Sequence, residues 1–359
     1  MTTIINANSS GLVETVDTSG NLQFQTNGTA ALHINNSQNI TANSTGAITL
    51  NVGNTAQRPA TAANGMIRYS NTSNLLEAYV NGAWANIGGA SVAAAYNIEV
   101  GVVAGGGGGG AFLGGGGGAG GVVYFSVYGV TPGTAYTANI GAGGAGGVSA
   151  GAGTIGSNST FGSSATSSIK AIGGSGGGGS GAGAGNPVGG SGGGLGGQNN
   201  YSAFGARGPG IPAQGFDGGF LISGAALCGG GGAGAAGANG VSTASGGVGI
   251  INPIAGSTAG QLITGNYWVA GGGGAGSSTT STGGNGGGGN TGVAGTVNTG
   301  GGGGGTNNGT GGAGGSGVVV ISIPIANYPG NGNVSGTYTY ANTGTAIVLG
   351  FTANTVYTA

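Results

Sequence analysis

Residues 102–121 read VVAGGGGGGAFLGGGGGAGG, and this stretch decides the fold. Two uninterrupted glycine runs, 105–110 and 114–118, follow an apolar segment with the composition of a β-strand. Similar runs recur as far as residue 305, and the 359-residue chain contains 100 glycines. An average protein has only about 7 % glycine. Glycine is therefore the main building material of this chain.

Several conformations compete for such runs. Collagen needs glycine at every third position with abundant proline, whereas these runs are consecutive and the chain has 8 prolines. A flexible linker is the usual outcome of Gly/Ser composition. Here the runs alternate with apolar segments, and charged residues make up only 3 %. Extended polyglycine II helices, with about three residues per turn and a rise of ~3.1 Å, fit best. Loops on a β-scaffold are the alternative.

A polyglycine II helix has no internal hydrogen bonds, so its amide and carbonyl groups must pair with neighbouring segments. Without Cβ atoms, the backbones can approach closely enough to do so. Ordering glycine costs more backbone entropy than ordering any other residue. A packed bundle therefore needs many neighbours and a rigid frame.

The frame is predicted at the borders of the runs, where segments rich in β-branched and aromatic residues alternate with turn residues. The predicted strands are 96–103, 121–128, 134–140, 262–270 and 318–323. No stretch has a convincing helical period. The sequence predicts an all-β chain: a short-strand fibre region, a β-meander, and a β-sandwich with an inserted polyglycine II bundle.

Composition divides the chain into four regions. Residues 1–57 form an attachment and oligomerisation region, 58–89 a small β-meander, 90–325 the glycine-rich domain, and 326–359 a C-terminal β cap or a segment that locks the trimer. The strands predicted in the first region are 12–16, 21–25, 32–34 and 47–52. Each is too short and polar to bury a core alone. We therefore expect a homotrimer, because closed symmetry protects strand edges.

Charge excludes several classes of partner. The formal net charge is −1 and no basic run is present, which argues against nucleic acid or an anionic membrane as a partner. We expect no signal peptide and no membrane insertion. Cys228 is the single cysteine, so neither an intrachain disulfide nor a thiolate metal site is expected. No cofactor is predicted.

Residues that could carry catalysis are few and scattered. A glycosidase usually needs two carboxylates in one cleft, and a nucleophilic enzyme needs a base beside its nucleophile. His33 is the only histidine. The acidic residues are Glu14, Asp17, Glu77, Glu99 and Asp217. We therefore predict that the protein is not an enzyme.

Binding residues concentrate on loops held by rigid scaffolds, and the longest insertion poor in glycine runs is 198–217. It contains aromatic side chains and an arginine, the usual anchors of an interface. The predicted contact residues are Tyr201, Phe204, Arg207, Phe216 and Asp217. The alternative is that Phe204, Phe216 and Phe220 plug the end of the glycine bundle. A second candidate is the apolar segment 250–254, as an exposed loop or a core strand.

Residues 58–69 read RPATAANGMIRY and 75–87 read LLEAYVNGAWANI. Asn81-Gly82 between two apolar strands is a strong hairpin signal. The pattern resembles the small "RP…NGMIRYN…FEGY..GAW" module of bacteriophage tail fibre and virion structural proteins. The glycine-rich part is similar to glycine-rich domains of phage fibres, including long fibre-tip adhesins. More distantly, it is similar to a region of some animal receptor tyrosine kinases, where polyglycine II helices are inserted in a β-sandwich.

These resemblances imply a structural tail fibre protein located on the virion. The N-terminus would attach to other virion proteins, and loops of the glycine-rich domain would bind a protein or glycan of the host surface. One alternative is a head or neck decoration fibre without a receptor. An ice-binding polyglycine II protein is another, although the irregular spacing of Thr argues against it.

Overall fold

The computed structural model describes residues 22–26, 29–35, 37, 39–42, 47–87, 94–164, 168–181, 188–197, 208–221, 227–240, 243–277 and 279–359. The chain divides into two compact units, residues 1–91 and 92–359. Its regular structure is nearly all β, as predicted. The helical segments among the described residues are short 3-10 helices: Thr55–Gln57 (η1), Ile325–Asn327 (η2) and Asn331–Asn333 (η3).

Among its described residues, the first unit contains two sheets. One has the order β1-β2-β3, and its strands are Leu22–Thr26 (β1), Thr29–Ile34 (β2) and Ile40–Ala42 (β3). The other has the order β4-β5-β6-β7, with Val52–Gly53 (β4), Ile67–Ser70 (β5), Leu75–Val80 (β6) and Ala83–Asn86 (β7). The strand predicted at 12–16 lies outside the described residues.

The predicted meander is present as β5, β6 and β7. Asn81 and Gly82 have φ angles of 51° and 81°, the left-handed pair that a two-residue hairpin needs. The predicted strand 47–52 is mostly absent, since only Val52 belongs to a strand. The parallel pairing with β5 covers only Val52 and Gly53, opposite Tyr69 and Ser70.

The described part of the second unit contains two five-stranded sheets and a small third sheet. The first has the order β18-β19-β16-β8-β9, with Tyr338–Asn342 (β18), Ala346–Phe351 (β19), Val318–Pro324 (β16), Tyr96–Val103 (β8) and Val122–Val130 (β9). The second has the order β12-β11-β10-β20-β17, with Ile169–Ala171 (β12), Ser159–Gly162 (β11), Ala135–Asn139 (β10), Thr355–Thr358 (β20) and Val334–Ser335 (β17).

One hydrophobic core joins these two five-stranded sheets. Val100 and Leu349 of the first sheet belong to the same buried cluster as Phe161 and Tyr357 of the second. The rings of Tyr136 and Phe161 stack within this cluster, with centroids 5.9 Å apart. Alternation of apolar residues along β8 and β10 directs one face of each strand into this core.

The third sheet corrects one prediction. The segment 262–270 was predicted as a single strand, but it forms part of a hairpin of Gln261–Ile263 (β14) and Asn266–Val269 (β15). Thr264 and Gly265 have φ angles of 45° and 84°, and this turn interrupts the strand. Ile250–Ile251 (β13) pairs with β15, so the segment 250–254 begins as a strand and ends at the buried Ile254.

The C-terminal tail lies within both large sheets rather than forming a separate cap. β19 pairs with β16 and β18, and β20 pairs with β10 and β17. The run AIVLGF of β19 is buried at five of its six positions. A strand with apolar residues on both faces belongs in the interior of a sheet, which explains its place between β18 and β16.

Candidate functional site

The glycine runs are held by hydrogen bonds that repeat every third residue. Along 105–110, amide groups three residues apart donate to the same neighbouring segment, over 2.8–3.0 Å. The pairs are Gly105 and Gly108 to Ser157 and Thr154, Gly106 and Gly109 to Gly315 and Gly312, and Gly107 and Gly110 to Gly118 and Gly115. In each pair the acceptor number falls as the donor number rises, so these three neighbours run antiparallel to 105–110.

The carbonyl groups of 105–110 follow the same rule with three other neighbours. The donors are Gly174 and Gly177, Gly144 and Gly147, and Gly303 and Thr306, at 2.8–3.0 Å. These segments run parallel to 105–110. One segment thus bonds to six others, which satisfies every amide and carbonyl group along its length.

The segment 114–121 has six bonded neighbours of its own. It lies beside 105–110, and the eight remaining segments bond to one another in a closed ring around this central pair. We call the ten segments the glycine lattice. They are 105–110, 114–121, 141–147, 151–157, 173–178, 190–195, 228–233, 270–276, 300–306 and 311–317.

This spacing leaves no room for a side chain at Gly109, in the middle of the lattice. The amide of Gly109 donates to Gly312, and its carbonyl accepts from Gly147. A Cβ atom at Gly109 would lie far inside van der Waals contact of the Gly304 carbonyl, on a third neighbour. Glycine is therefore required here for close approach rather than for an unusual φ angle.

The glycine lattice has one end at the sheets and an opposite end, which we call the far end. The segment 105–110 follows β8 directly, and 114–121 leads directly into β9. Their connection 111–113 therefore lies at the far end, about six residues or roughly 19 Å from the sheets at polyglycine II rise. The connections 148–150 and 307–310 lie at the same end, because 141–147 leaves β10 and 311–317 enters β16.

The central turn of the far end contains two bulky residues in left-handed conformation. The φ angles are 45° at Phe112 and 53° at Leu113. Leu113 packs against the buried cluster of Leu227, Ala244 and Ala275. Phe112 is 40 % exposed. The sequence prediction missed this turn, although two large apolar residues between glycine runs were a visible signal.

The five predicted contact residues fall into two groups. Tyr201, Phe204 and Arg207 lie outside the described residues. Phe216 and Asp217 line a cavity of about 530 Å³ with Val122, at the start of β9, so these two lie toward the sheets rather than the far end. The carboxylate of Asp217 accepts from the Gly210 amide over 2.9 Å.

The alternative role for the phenylalanines was to plug the lattice. Phe216 is 49 % exposed and Phe220 is 38 % exposed, so neither is buried as a plug. Phe204 lies outside the described residues. The apolar filling near the far end comes instead from Leu113 and Leu227.

Two arginines, a glutamate and a tryptophan of the meander segment contact one another. We call Arg58, Arg68, Glu77 and Trp84 the charge cluster. The Glu77 carboxylate is fully buried and lies 2.5 Å from Nη2 of Arg58 and 3.2 Å from Nε of Arg68. Both guanidinium groups lie about 6 Å from the centre of the Trp84 ring. The hydrogen bond from Arg58 is the main cause of the lowered pKa of Glu77.

The other face of the β4–β7 sheet carries no charged side chain. The strand register places eight residues on this uncharged face: Val52, Ile67, Tyr69, Leu76, Ala78, Val80, Ala83 and Ala85. Val52 is 62 % exposed, Ile67 52 % and Val80 49 %. Arg68 and Glu77 lie on the opposite face, directly across from each other.

Cys228 is fully buried in the glycine lattice. Burial raises the pKa of its thiol to about 12, which removes the thiolate that nucleophilic chemistry requires. Among the described residues, no group of three or more His, Cys, Asp or Glu side chains is placed to hold a metal ion. The part of the chain that the structure describes also contains no helix with the length and apolarity to cross a membrane.

An all-β unit built around a hydrogen-bonded array of glycine segments is a glycine-rich domain. Residues 86–324 match the model of the family described as "Glycine-rich domain". This is 239 of the 359 residues, and the chain belongs to this family. No curated protein matches the chain.

Proposed function

We propose that the ten segments of the glycine lattice are polyglycine II helices, packed as a bundle inside a β-sandwich. The hydrogen-bond partners repeat every third residue, as they must in a helix of three residues per turn. The shared core of the two five-stranded sheets supports the sandwich.

We propose further that the protein is a structural, non-enzymatic tail fibre protein on the surface of a bacteriophage virion. The phage-like meander supports this, because Arg58, Arg68, Glu77 and Trp84 of its motif contact one another. A decoration fibre of the head or neck, without a receptor, is the alternative within the same class.

The host-binding role rests on one observation, the collection of several connections at the far end of a rigid backbone scaffold. Loops on rigid scaffolds are the usual place for binding residues. Segment 190–195 ends at this side too, since the amide of Gly197 donates to Leu113. The predicted contacts Tyr201, Phe204 and Arg207 follow next in the sequence. The proposed partner is a protein or glycan of the host surface.

The uncharged face supports the proposed homotrimer. An exposed apolar sheet face is a common site of association. Because the face is uncharged, the same faces of several copies can meet without charge repulsion. Closed symmetry would cover it in every copy. We propose that the first unit forms the trimer through this face and attaches to other virion proteins.

Binding of the full chain to cells of a panel of bacterial strains tests the adhesin role. Alanine at Tyr201, Phe204 and Arg207 together should abolish saturable binding and leave the circular dichroism spectrum unchanged. A matched control replaces Tyr124, Phe125 and Lys170, which are two aromatic residues and one cation exposed on β9 and β12. A well-folded wild-type chain that binds no strain would favour the decoration fibre.

A further inference from the structure

Phe112 occupies a position where its side chain is costly to the fold. Residues with a Cβ atom rarely adopt φ angles near +45°, and for a bulky residue this is a true outlier. Glycine adopts it without cost. In a chain with 100 glycines, the left-handed pair at the centre of the far end is nevertheless Phe112 and Leu113.

The two side chains of this turn differ in what they contribute to packing. Leu113 packs against Leu227, Ala244 and Ala275, which repays its backbone strain. Phe112 belongs to none of the three buried clusters among the described residues, and 40 % of it is exposed. The strain at Phe112 is thus not offset by burial in a core. Such strain is typical of functional sites.

The backbone of the turn is fixed from several sides. The amide of Ala111 donates to Gly151, the amide of Leu113 donates to Asn307, and the carbonyl of Leu113 accepts from Gly197. These bonds tie the turn to three other segments of the unit. A turn whose backbone is fixed in this way loses little backbone entropy when a partner binds its exposed side chain.

We infer that Phe112 is the central apolar anchor of the far end and inserts into an apolar pocket on a host surface protein. This inference rests on the proposed adhesin function. The described connections around Phe112, at 148–150 and 307–310, contain only uncharged residues. The exposed ring of Phe112, beside these uncharged described connections, fits an apolar protein pocket better than a glycan rich in carboxylate or phosphate groups.

The test compares Phe112→Gly with Leu113→Gly in the full chain. Binding is measured on cell envelopes from a panel of bacterial strains, untreated or treated with protease. Phe112→Gly should weaken binding at least about tenfold, as loss of an interface anchor does. Its midpoint of denaturant unfolding should stay the same or rise, because the strain is relieved. Leu113→Gly should lower that midpoint. Protease treatment should abolish binding, and about 1 M NaCl should not.

Each contrary result has a separate meaning. If Phe112→Gly lowers the unfolding midpoint as far as Leu113→Gly does, Phe112 is a packing residue and the inference is wrong. If Phe112→Gly binds like the wild type while the variant at Tyr201, Phe204 and Arg207 does not, the adhesin role stands without this anchor. Binding that survives protease treatment overturns the protein partner. Wild-type chain that binds no envelope overturns the adhesin function itself.

Discussion

At the scale of a single residue, the glycine lattice depends on the absence of side chains, which lets its segments approach closely. At Gly109, the amide and the carbonyl bond to two segments while the Cα atom faces a third. Any Cβ atom would push these segments apart. A substitution that is among the mildest elsewhere in proteins therefore becomes severe here.

We predict that Gly109→Ala lowers the free energy of unfolding of the second unit by about 3 kcal/mol, the upper range for overpacking. The matched control is Gly129→Ala in β9, where the nearest atom to a new Cβ would be 3.8 Å away. The control should change the unfolding free energy by less than about 0.5 kcal/mol. Guanidinium unfolding followed by circular dichroism measures both, and equal effects would contradict the close approach.

Glu77 is the residue on which the charge cluster depends. Its folded-state pKa is lowered chiefly by the hydrogen bond from Arg58. A lowered pKa means that ionised Glu77 stabilises the fold above its ordinary pKa, and that this stabilisation disappears as pH falls through the folded-state value. The meander should therefore lose stability in acid, below about pH 4.

We predict that Glu77→Gln destabilises the first unit by about 3 kcal/mol at pH 7, because Arg68 stays buried without its counter-charge. The variant should also lack the loss of stability in acid. Trp84 fluorescence during guanidinium unfolding, in a chain with Trp268→Phe, reports on this unit. Glu99→Gln in the second unit serves as the control. If the stability of the wild-type meander does not fall in acid, the ion pairs of Glu77 contribute little to its folding free energy.

At the scale of elements, strand patterns predicted much of the frame but not its arrangement. Strands β8, β9 and β10 are confirmed, because their β-rich residues lie between clear turn signals. The hairpin at Thr264-Gly265 was missed, since Thr rarely adopts a left-handed φ angle and gives no turn signal. The interior place of β19 was missed as well, since nothing local to the tail indicates its partners.

The partners of the glycine segments were also beyond prediction. Consecutive glycines predict an extended chain that must bond to neighbours, but they have no side chains that could specify which neighbour. The pairing of Gly105 with Ser157 and of Gly106 with Gly315 depends on where the frame places each segment. Of the candidate site, the far-end turn was missed because Phe and Leu rarely adopt left-handed φ angles, although their place between two glycine runs was visible in the sequence.

For the whole molecule, the uncharged face of the β4–β7 sheet determines the expected assembly. Arg68 and Glu77 are directed to one face, which leaves the other without charge. The exposed apolar fraction of Val52, Ile67 and Val80 is large for a surface in contact with water. Copies of the same chain are the partners we propose for it.

We predict that the wild-type chain sediments with three times the mass of one chain and that Leu76→Glu sediments as a monomer. Leu76 is 40 % exposed, so the charge is tolerated by the monomer but not in a closed interface. Ser73→Glu, in the exposed turn before β6, is the control and should stay trimeric. A monomeric wild type in analytical ultracentrifugation would rule out this assembly.

The three-residue repeat of the hydrogen bonds also restricts how the chain can change in length. Inserting or deleting three residues in a lattice segment returns every later amide to its original neighbour, so the register survives. A change of one or two residues moves each later amide to the wrong neighbour. Variation inside the lattice should therefore occur in steps of three residues, or nine nucleotides. The length of a lattice segment is thus restricted to changes by multiples of three residues.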